Sequence, residues 1–239
     1  MKVSLPDLCL QPTGGPSRTG RRVRRVSAVA ESAAPPASGS LWRAGPWRLL
    51  RLVAGLWLFG TGEGLVVVAA LGNSPWTVFA QGLSEHTPLS IGAATIVTSA
   101  VLLLVWTQLD VRPGLGTIAN ALIIGVAIDV TLGLCGDPHG LPLRIAVLLA
   151  GLVCVGVGSG VYLGCRLGPG PRDGLMLGLH ARTGWSIARL RTLIELSALT
   201  AGVLLGGRAG LGTVAFALFV GPAVALGLRL GERGAPATG

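Results

Sequence analysis

Five charged residues in or beside long apolar segments are the ones whose types could do chemistry here. They are Glu63, Asp129, Arg172, Asp173 and Glu195. An ionisable side chain at the centre of a bilayer costs about 2.5–3.5 kcal/mol, so it usually pairs, faces water or binds a ligand. We therefore predict these five as candidate substrate-binding residues.

Each acid has a structural alternative. Glu63 lies near the middle of its apolar segment, where it is either linked to a proton or substrate or held by hydrogen bonds. Asp129 lies nearer a segment end and can reach interfacial water. Arg191 and Glu195 are four residues apart, so they share a helix face and can pair.

Arg172 and Asp173 follow a proline turn at the start of a short helical pattern. Asp173 is well placed to cap helix N–H groups, whereas Arg172 is the better candidate for an anionic ligand. Asn120 is expected to form a hydrogen bond between helices.

No sequence motif of an enzyme or metal site is present. The chain has no HExxH, GxSxG or Walker sequence. The three histidines fall in or near expected loops, and the four cysteines have no metal-ligand spacing. We expect no catalytic residue, no metal and no cofactor.

Composition indicates an integral membrane protein. The 239 residues are 51% hydrophobic and 12% charged, with a mean hydropathy of +0.69; a soluble domain has about 25% charged residues. The net charge of +9 is mostly arginine outside the apolar segments, which sets membrane orientation and does not require a nucleic-acid partner.

The sequence contains an internal duplication. LGNSPWTVFAQGL begins at Leu71, and LGPGPRDGLMLGL begins 96 positions later at Leu167. GLGT at 114–117 recurs at 210–213 with the same shift. A gapless repeat of separate motifs indicates two copies of one structural unit. The motif residues that recur are Gly72, Pro75, Gly116 and Thr117 as Gly168, Pro171, Gly212 and Thr213.

The predicted fold is an all-α polytopic membrane protein with six crossings, since about 20 residues of helix cross the hydrocarbon. The crossings are placed near 48–70, 89–109, 114–135, 143–165, 186–206 and 210–230. Each copy has three crossings, so the second copy enters the membrane upside down, as in many transporters. The segments 76–84 and 172–182 are too short to span and are expected to be interfacial or re-entrant helices.

Arginine placement predicts that both termini are cytoplasmic in a bacterial inner membrane. The expected organisation is a disordered basic cytoplasmic tail at 1–44, membrane repeat 1 at 45–135, membrane repeat 2 at 136–230 and a short cytoplasmic tail at 231–239.

Glycines recur every fourth residue at Gly156, Gly160, Gly164 and Gly168. This spacing favours close helix packing within the fold, with a homodimer contact as the alternative.

The motif set resembles the YczE-like group of bacterial integral membrane proteins, which is related to the broader YitT-type family. The resemblance rests on LGPGPRDGLMLGL, on RTGWSI at 182–187 and on the two GLGT motifs, and it covers roughly 48–230. The first copy departs from the family pattern because Thr77 stands where an acid is expected. The resemblance implies a membrane location and a fold, and it does not imply a substrate.

The sequence is compatible with two functions. The first is a small permease or exporter with a site at the repeat interface, with the bilayer, a small-molecule substrate and a homodimer as partners. The alternative is a non-transporting membrane protein that scaffolds or stabilises another membrane or biosynthetic complex.

Overall fold

The computed structural model describes residues 41–233, which form eight α-helices and no strand. The helices are α1 (Pro46–Ala69), α2 (Pro75–Glu85), α3 (Ile91–Trp106), α4 (Leu115–Leu134), α5 (Leu141–Leu163), α6 (Pro171–Thr183), α7 (Ile187–Leu204) and α8 (Leu211–Arg233). The all-α prediction is confirmed for this part of the chain. The tail predictions for 1–40 and 234–239 lie outside the described residues.

Four helices are long and apolar enough to cross a bilayer, namely α1, α4, α5 and α8 over Leu211–Leu228. Each coincides within a few residues with a predicted crossing. The other two predicted crossings differ in character. Helix α3 is apolar but has 16 residues, and α7 has 18 residues but includes Arg189, Arg191 and Glu195. Helices α2 and α6 have 11 and 13 residues and are shorter than a span.

Helices α1 and α5 pack along each other at the centre of the fold, α4 packs on α1, and α8 packs on α5. Glycines allow these close approaches. A Cβ at Gly60 would lie 2.7 Å from the carbonyl oxygen of Ile124. A Cβ at Gly160 would lie 2.2 Å from the backbone of Gly227. Small residues in membrane helices serve this purpose.

The glycine ridge on α5 therefore packs within the chain. A Cβ at Gly156 would lie 2.1 Å from Ala223 on α8, so Gly156 and Gly160 form the α5–α8 contact. Gly164 and Gly168 belong to other environments. Nothing approaches a Cβ at Gly164 closer than 3.3 Å, and Gly168 lies in the following loop.

The short helices cross over between the halves of the chain. Helix α2 packs on α7, and α6 packs on α3. In both halves the short helix thus packs on a helix of the other half. The halves differ because α3 packs on α4, whereas its counterpart α7 does not pack along α8 within the described residues.

Matching turns lead into α2 and α6. Gly72 and Gly168 have φ values of +113° and +112°, a region that disfavours any side chain. Each helix then starts with a proline, Pro75 or Pro171, whose fixed φ suits the first helical position. The sequence therefore dictates an abrupt turn and an immediate helix start in both places.

Candidate functional site at the start of two short helices

Glu63 of α1 is fully buried beside the start of α2. Its Oε2 accepts hydrogen bonds from the hydroxyls of Ser74, at 2.9 Å, and Thr77, at 2.6 Å. Its Oε1 is buried and has no hydrogen-bond partner among the described residues. One carboxyl oxygen thus accepts two hydrogen bonds, and the other is left without a donor among the described residues.

The turn before α2 brings these hydroxyls to Glu63. Ser74 is the N-cap of α2, and its Oγ accepts the N–H of Thr77 at 3.4 Å. This cap fixes both side chains on the side of the helix that faces α1. The same residues that start the helix therefore bind the carboxylate.

Trp76 and Arg172 contact each other at the starts of α2 and α6. The guanidinium carbon of Arg172 lies over the indole ring of Trp76, 5.2 Å from the ring centroid. This distance is within the range of a cation–π interaction. The two residues occupy equivalent positions, 96 apart, in the duplicated motif.

Asp173 contacts α5 at the same place. Its Oδ2 accepts a hydrogen bond from the hydroxyl of Tyr162 at 3.3 Å. A Cβ at Gly170 would lie 3.2–3.4 Å from polar atoms of Asn120, Tyr162 and Asp173. Asp173 lies in the first turn of α6, but the hydrogen bond seen among the described residues joins it to Tyr162 and not to the helix N–H groups.

Burial shifts the pKa values of Asp173 and Arg172 in opposite directions. It raises the pKa of the Asp173 carboxyl above its ordinary value, and the charge of Arg191 opposes this. It lowers the pKa of the Arg172 guanidinium, and the charges of Glu63 and Asp173 oppose this. Loss of water disfavours the charged form of both groups, and neighbouring opposite charge restores it.

The structure brings together three of the five candidate residues, Glu63, Arg172 and Asp173. Asp129 is elsewhere, near the end of α4, where its carboxyl accepts the hydroxyl of Ser90 and the N–H of Gly92, the latter at 2.8 Å. It therefore binds the start of α3, a structural role that its sequence position did not reveal.

Glu195 forms the ion pair with Arg191 that their spacing predicts, at 2.9 Å. Both side chains are exposed, by 39% and 49%. The charges of both residues act on Asp173, and that of Glu195 also acts on Arg172, so this exposed pair lies at the edge of the cluster.

Three partners in this cluster were missed by sequence reasoning: Ser74, Trp76 and Tyr162. A signal existed for Trp76, since it occupies the position of Arg172 in the other copy of the motif. Tyr162 is the single tyrosine of the chain, but its position in an apolar helix gave no indication of its partner.

Arg48 and Arg144 make equivalent contacts in the two halves. Arg48 donates to the carbonyl oxygens of Cys165, at 2.7 Å, and Arg166, at 3.2 Å. Arg144 donates to those of Ala69, at 2.9 Å, and Ala70, at 3.2 Å. Each arginine thus satisfies carbonyls at the end of a helix that has no further turn to bind them.

The GLGT motifs bind the opposite loops in the same reciprocal way. The N–H of Gly116 donates to the carbonyl of Leu167, and that of Gly212 donates to the carbonyl of Leu71, both at 2.8 Å. All four residues are motif positions 96 apart. These motifs therefore have a structural role that fixes the loops before α2 and α6.

No three His, Cys, Asp or Glu side chains between residues 41 and 233 are grouped so that they could hold a metal ion.

Comparison with known proteins decides the family. A family described as "Family of unknown function (DUF6198)" matches residues 46–229. The chain belongs to this family. It is 40% identical to an uncharacterized protein of Haemophilus influenzae over 188 residues, 79% of this chain and 86% of that protein.

The predicted resemblance to the YczE-like group is confirmed. The chain is 36% identical over 171 residues to "Uncharacterized membrane protein YczE" of Bacillus subtilis, 70% of this chain and 79% of that protein. It is also 28% identical over 164 residues to the uncharacterized protein YyaS of the same organism, 67% of this chain and 82% of that protein. No solved structure matches. The family and the apolar helices together are those of an integral membrane protein.

Proposed function

We propose that this chain is a small permease or exporter of the bacterial inner membrane. Its substrate site lies where α2 and α6 begin, around Glu63, Arg172 and Asp173. The observation that carries the proposal is the buried carboxyl of Glu63, whose Oε1 has no partner among the described residues. Ionisable groups inside a membrane domain commonly line substrate or proton pathways.

Six crossings in two inverted repeats are part of this proposal, with α3 and α7 as the second and fifth crossings in chain order. The reciprocal contacts support it. Arg48 and Arg144 bind helix ends 96 positions apart, and each binds the other half of the chain. Trp76 and Arg172, at equivalent positions, contact each other, which is the relation expected at a two-fold axis between repeats.

Alternating access is the proposed mechanism. In one half α3 packs on α4, but in the other half α7 does not pack along α8 within the described residues. Two repeats in different packing states are what a rocking transporter requires, because exchange of the two states would open the opposite side. Arg191 and Glu195 are exposed on α7 and would line the open side.

Orientation follows from the arginines, with both termini cytoplasmic. This can be tested at His86 and Arg182, which are equivalent positions and are both exposed near the ends of α2 and α6. Single cysteines at these positions, in a cysteine-free chain in intact cells, are labelled with a membrane-impermeant thiol reagent. We expect the cysteine at 86 to react from outside and that at 182 only after lysis. Reaction of both from the same side contradicts the inverted repeats.

Transport itself is tested with Glu63→Gln. Inverted vesicles that contain wild-type or variant protein are compared by mass spectrometry of their accumulated solutes. We expect at least one solute whose accumulation requires the wild-type chain and is lost in Glu63→Gln at equal folded amount. Asp110→Asn, an exposed acid outside the helices, is the control and should retain accumulation. If vesicles that contain the wild-type protein accumulate the same solutes as vesicles that lack the chain, the protein is not a permease.

An assembly role is the second candidate, and helix α8 favours it. Leu218 and Phe219 on α8 are 66% and 55% exposed, and 17% of the apolar stretch of α8 is buried, compared with 44–50% in the other three long helices. The proposed test is a double change of Leu218 and Phe219 to Ala. Loss of a co-purifying membrane protein, with solute accumulation unaffected, favours assembly over transport.

A further inference from the structure

A polar cavity lies at the end of α1, beyond Glu63. Its volume is about 210 Å³, larger than the 150 Å³ or so that accommodates benzene in a protein interior. Its apolar wall is formed by Val67, Val68 and Leu132. The lining does not include Glu63, Arg172 or Asp173. The cavity is therefore large enough for a small organic molecule and is distinct from the cluster described above.

A buried acceptor without a donor lies in the wall of this cavity. Asn73 is 2% exposed, and its Oδ1 has no hydrogen-bond partner among the described residues. Its Nδ2 donates to Oε1 of Gln81 at 2.8 Å. That oxygen also accepts the backbone N–H of Arg208 at 3.0 Å, which fixes it as an acceptor. The Asn73 amide is thereby oriented with Nδ2 toward Gln81, and Oδ1 is left for another donor.

Two opposite charges complete the lining, Asp137 and Arg208. Neither forms an ion pair in the described part of the chain, whose salt bridge joins Arg191 and Glu195. A carboxylate and a guanidinium that line one cavity without pairing can each bind an opposite charge of a ligand.

The polar groups are specific to this end of the molecule. The positions equivalent to Asn73 and Gln81 in the other copy of the motif are Pro169 and Leu177. The turn and helix start are the same in both copies, so the fold does not require the two amides. The Asn73 and Gln81 amides therefore have a role that is specific to this end of the molecule.

We propose that this cavity binds a small zwitterion with a short apolar body, of the class of aliphatic α-amino acids. The ammonium group is held by Asp137 and Oδ1 of Asn73, and the carboxylate by Arg208. The apolar body lies against Val67, Val68 and Leu132. The site goes beyond the proposed function, because binding here does not require transport.

The test uses Cys135, which also lines the cavity, as a reporter in the purified full-length protein. The rate at which a thiol reagent modifies Cys135 is measured by peptide mass spectrometry, with Cys154 of α5 as the internal reference. Ligands are L-leucine, isopentylamine and 4-methylpentanoate, which share one branched carbon skeleton and differ in charge. We expect saturable protection of Cys135 by L-leucine and at least about tenfold weaker protection by each singly charged analogue, as for a lost charged hydrogen bond.

Variants locate the binding groups. Asp137→Asn and Arg208→Gln should each weaken protection by L-leucine about 10- to 100-fold. The matched controls are Asp110→Asn and Arg112→Gln, an exposed acid and the exposed arginine at the position equivalent to Arg208. Both should leave protection unchanged.

Three outcomes overturn the proposal: no saturable protection by L-leucine, equal protection by the three compounds, or equal weakening in the controls. The comparison of ligands needs no variant, so it holds even if a substitution affects folding. If L-leucine protects Cys135 but no solute accumulation depends on the chain, the permease proposal is wrong and the binding site is supported. If solute accumulation depends on the chain but L-leucine does not protect Cys135, the binding site is wrong and the permease proposal is supported.

Discussion

Trp76 and Arg172 occupy the same position in two copies of one motif and contact each other, with the guanidinium carbon 5.2 Å from the ring centroid. The positions around them differ in chemistry between the copies. The first copy has Glu63 on the long helix and Thr77 on the short one, and the second has Ser159 and Asp173. The acid is therefore on the long helix α1 in the first copy and on the short helix α6 in the second. Both acids lie close to the contact between the starts of α2 and α6.

Removal of the ring should loosen this contact. Trp76→Leu is expected to lower the free energy of unfolding by about 0.5–2 kcal/mol, the range of a cation–π interaction, and Trp76→Phe by less. Thermal unfolding in detergent measures the effect. Trp185→Leu, at a tryptophan that is 52% exposed, is the control. An equal effect at Trp76 and Trp185 would show that the contact contributes nothing specific.

Glu63 should tolerate an amide better than an apolar side chain. Glu63→Gln keeps an oxygen that can accept from Ser74 and Thr77, so the folded amount should remain close to wild type. Glu63→Leu removes the shared acceptor of both hydroxyls. Ser74 can still donate to Oγ1 of Thr77, 2.9 Å away, but the buried Thr77 hydroxyl loses its acceptor, which should cost about 1–3 kcal/mol. Folded yield and denaturant unfolding compare the two variants. If both variants lose the protein equally, folding requires the carboxyl group itself and an amide does not replace it.

Gly160 and Gly164 should respond differently to the same change. Gly160→Ala places a methyl group 2.2 Å from the backbone of Gly227 and must separate α5 from α8, at a cost of about 1–3 kcal/mol for overpacking. Gly164→Ala meets nothing closer than 3.3 Å and should change stability little. Monodispersity and melting temperature after purification give the measurement. Similar melting temperatures for the two variants would disprove the α5–α8 contact.

Arg48 and Arg144 should have similar effects on stability. Arg48→Gln and Arg144→Gln each remove donors from two helix-end carbonyls. A charged hydrogen bond contributes about 1.5–3 kcal/mol, and partial exposure reduces this to about 1 kcal/mol. Arg112→Gln, at an exposed arginine, is the control in thermal unfolding. Unchanged melting for both variants would mean that water replaces the guanidinium groups.

The sequence by itself determined the helices and their starts. Apolar runs of about 20 residues predicted α1, α4, α5 and α8 to within a few residues. The Gly–Pro turns predicted short helices at 76–84 and 172–182, and the structure has them at 75–85 and 171–183. These features depend on local composition, on proline geometry and on positive φ at glycine, so they can be derived without knowledge of the packing.

Only the tertiary structure decided which of the candidate residues meet. Glu63, Arg172 and Asp173 come together because glycines let α1 and α5 approach closely and because α2 and α6 cross to the opposite halves. Asp129, with a similar sequence context, binds the start of α3 instead. Contacts between helices depend on how their faces are rotated and paired, and neither hydropathy nor spacing within a single segment specifies that pairing.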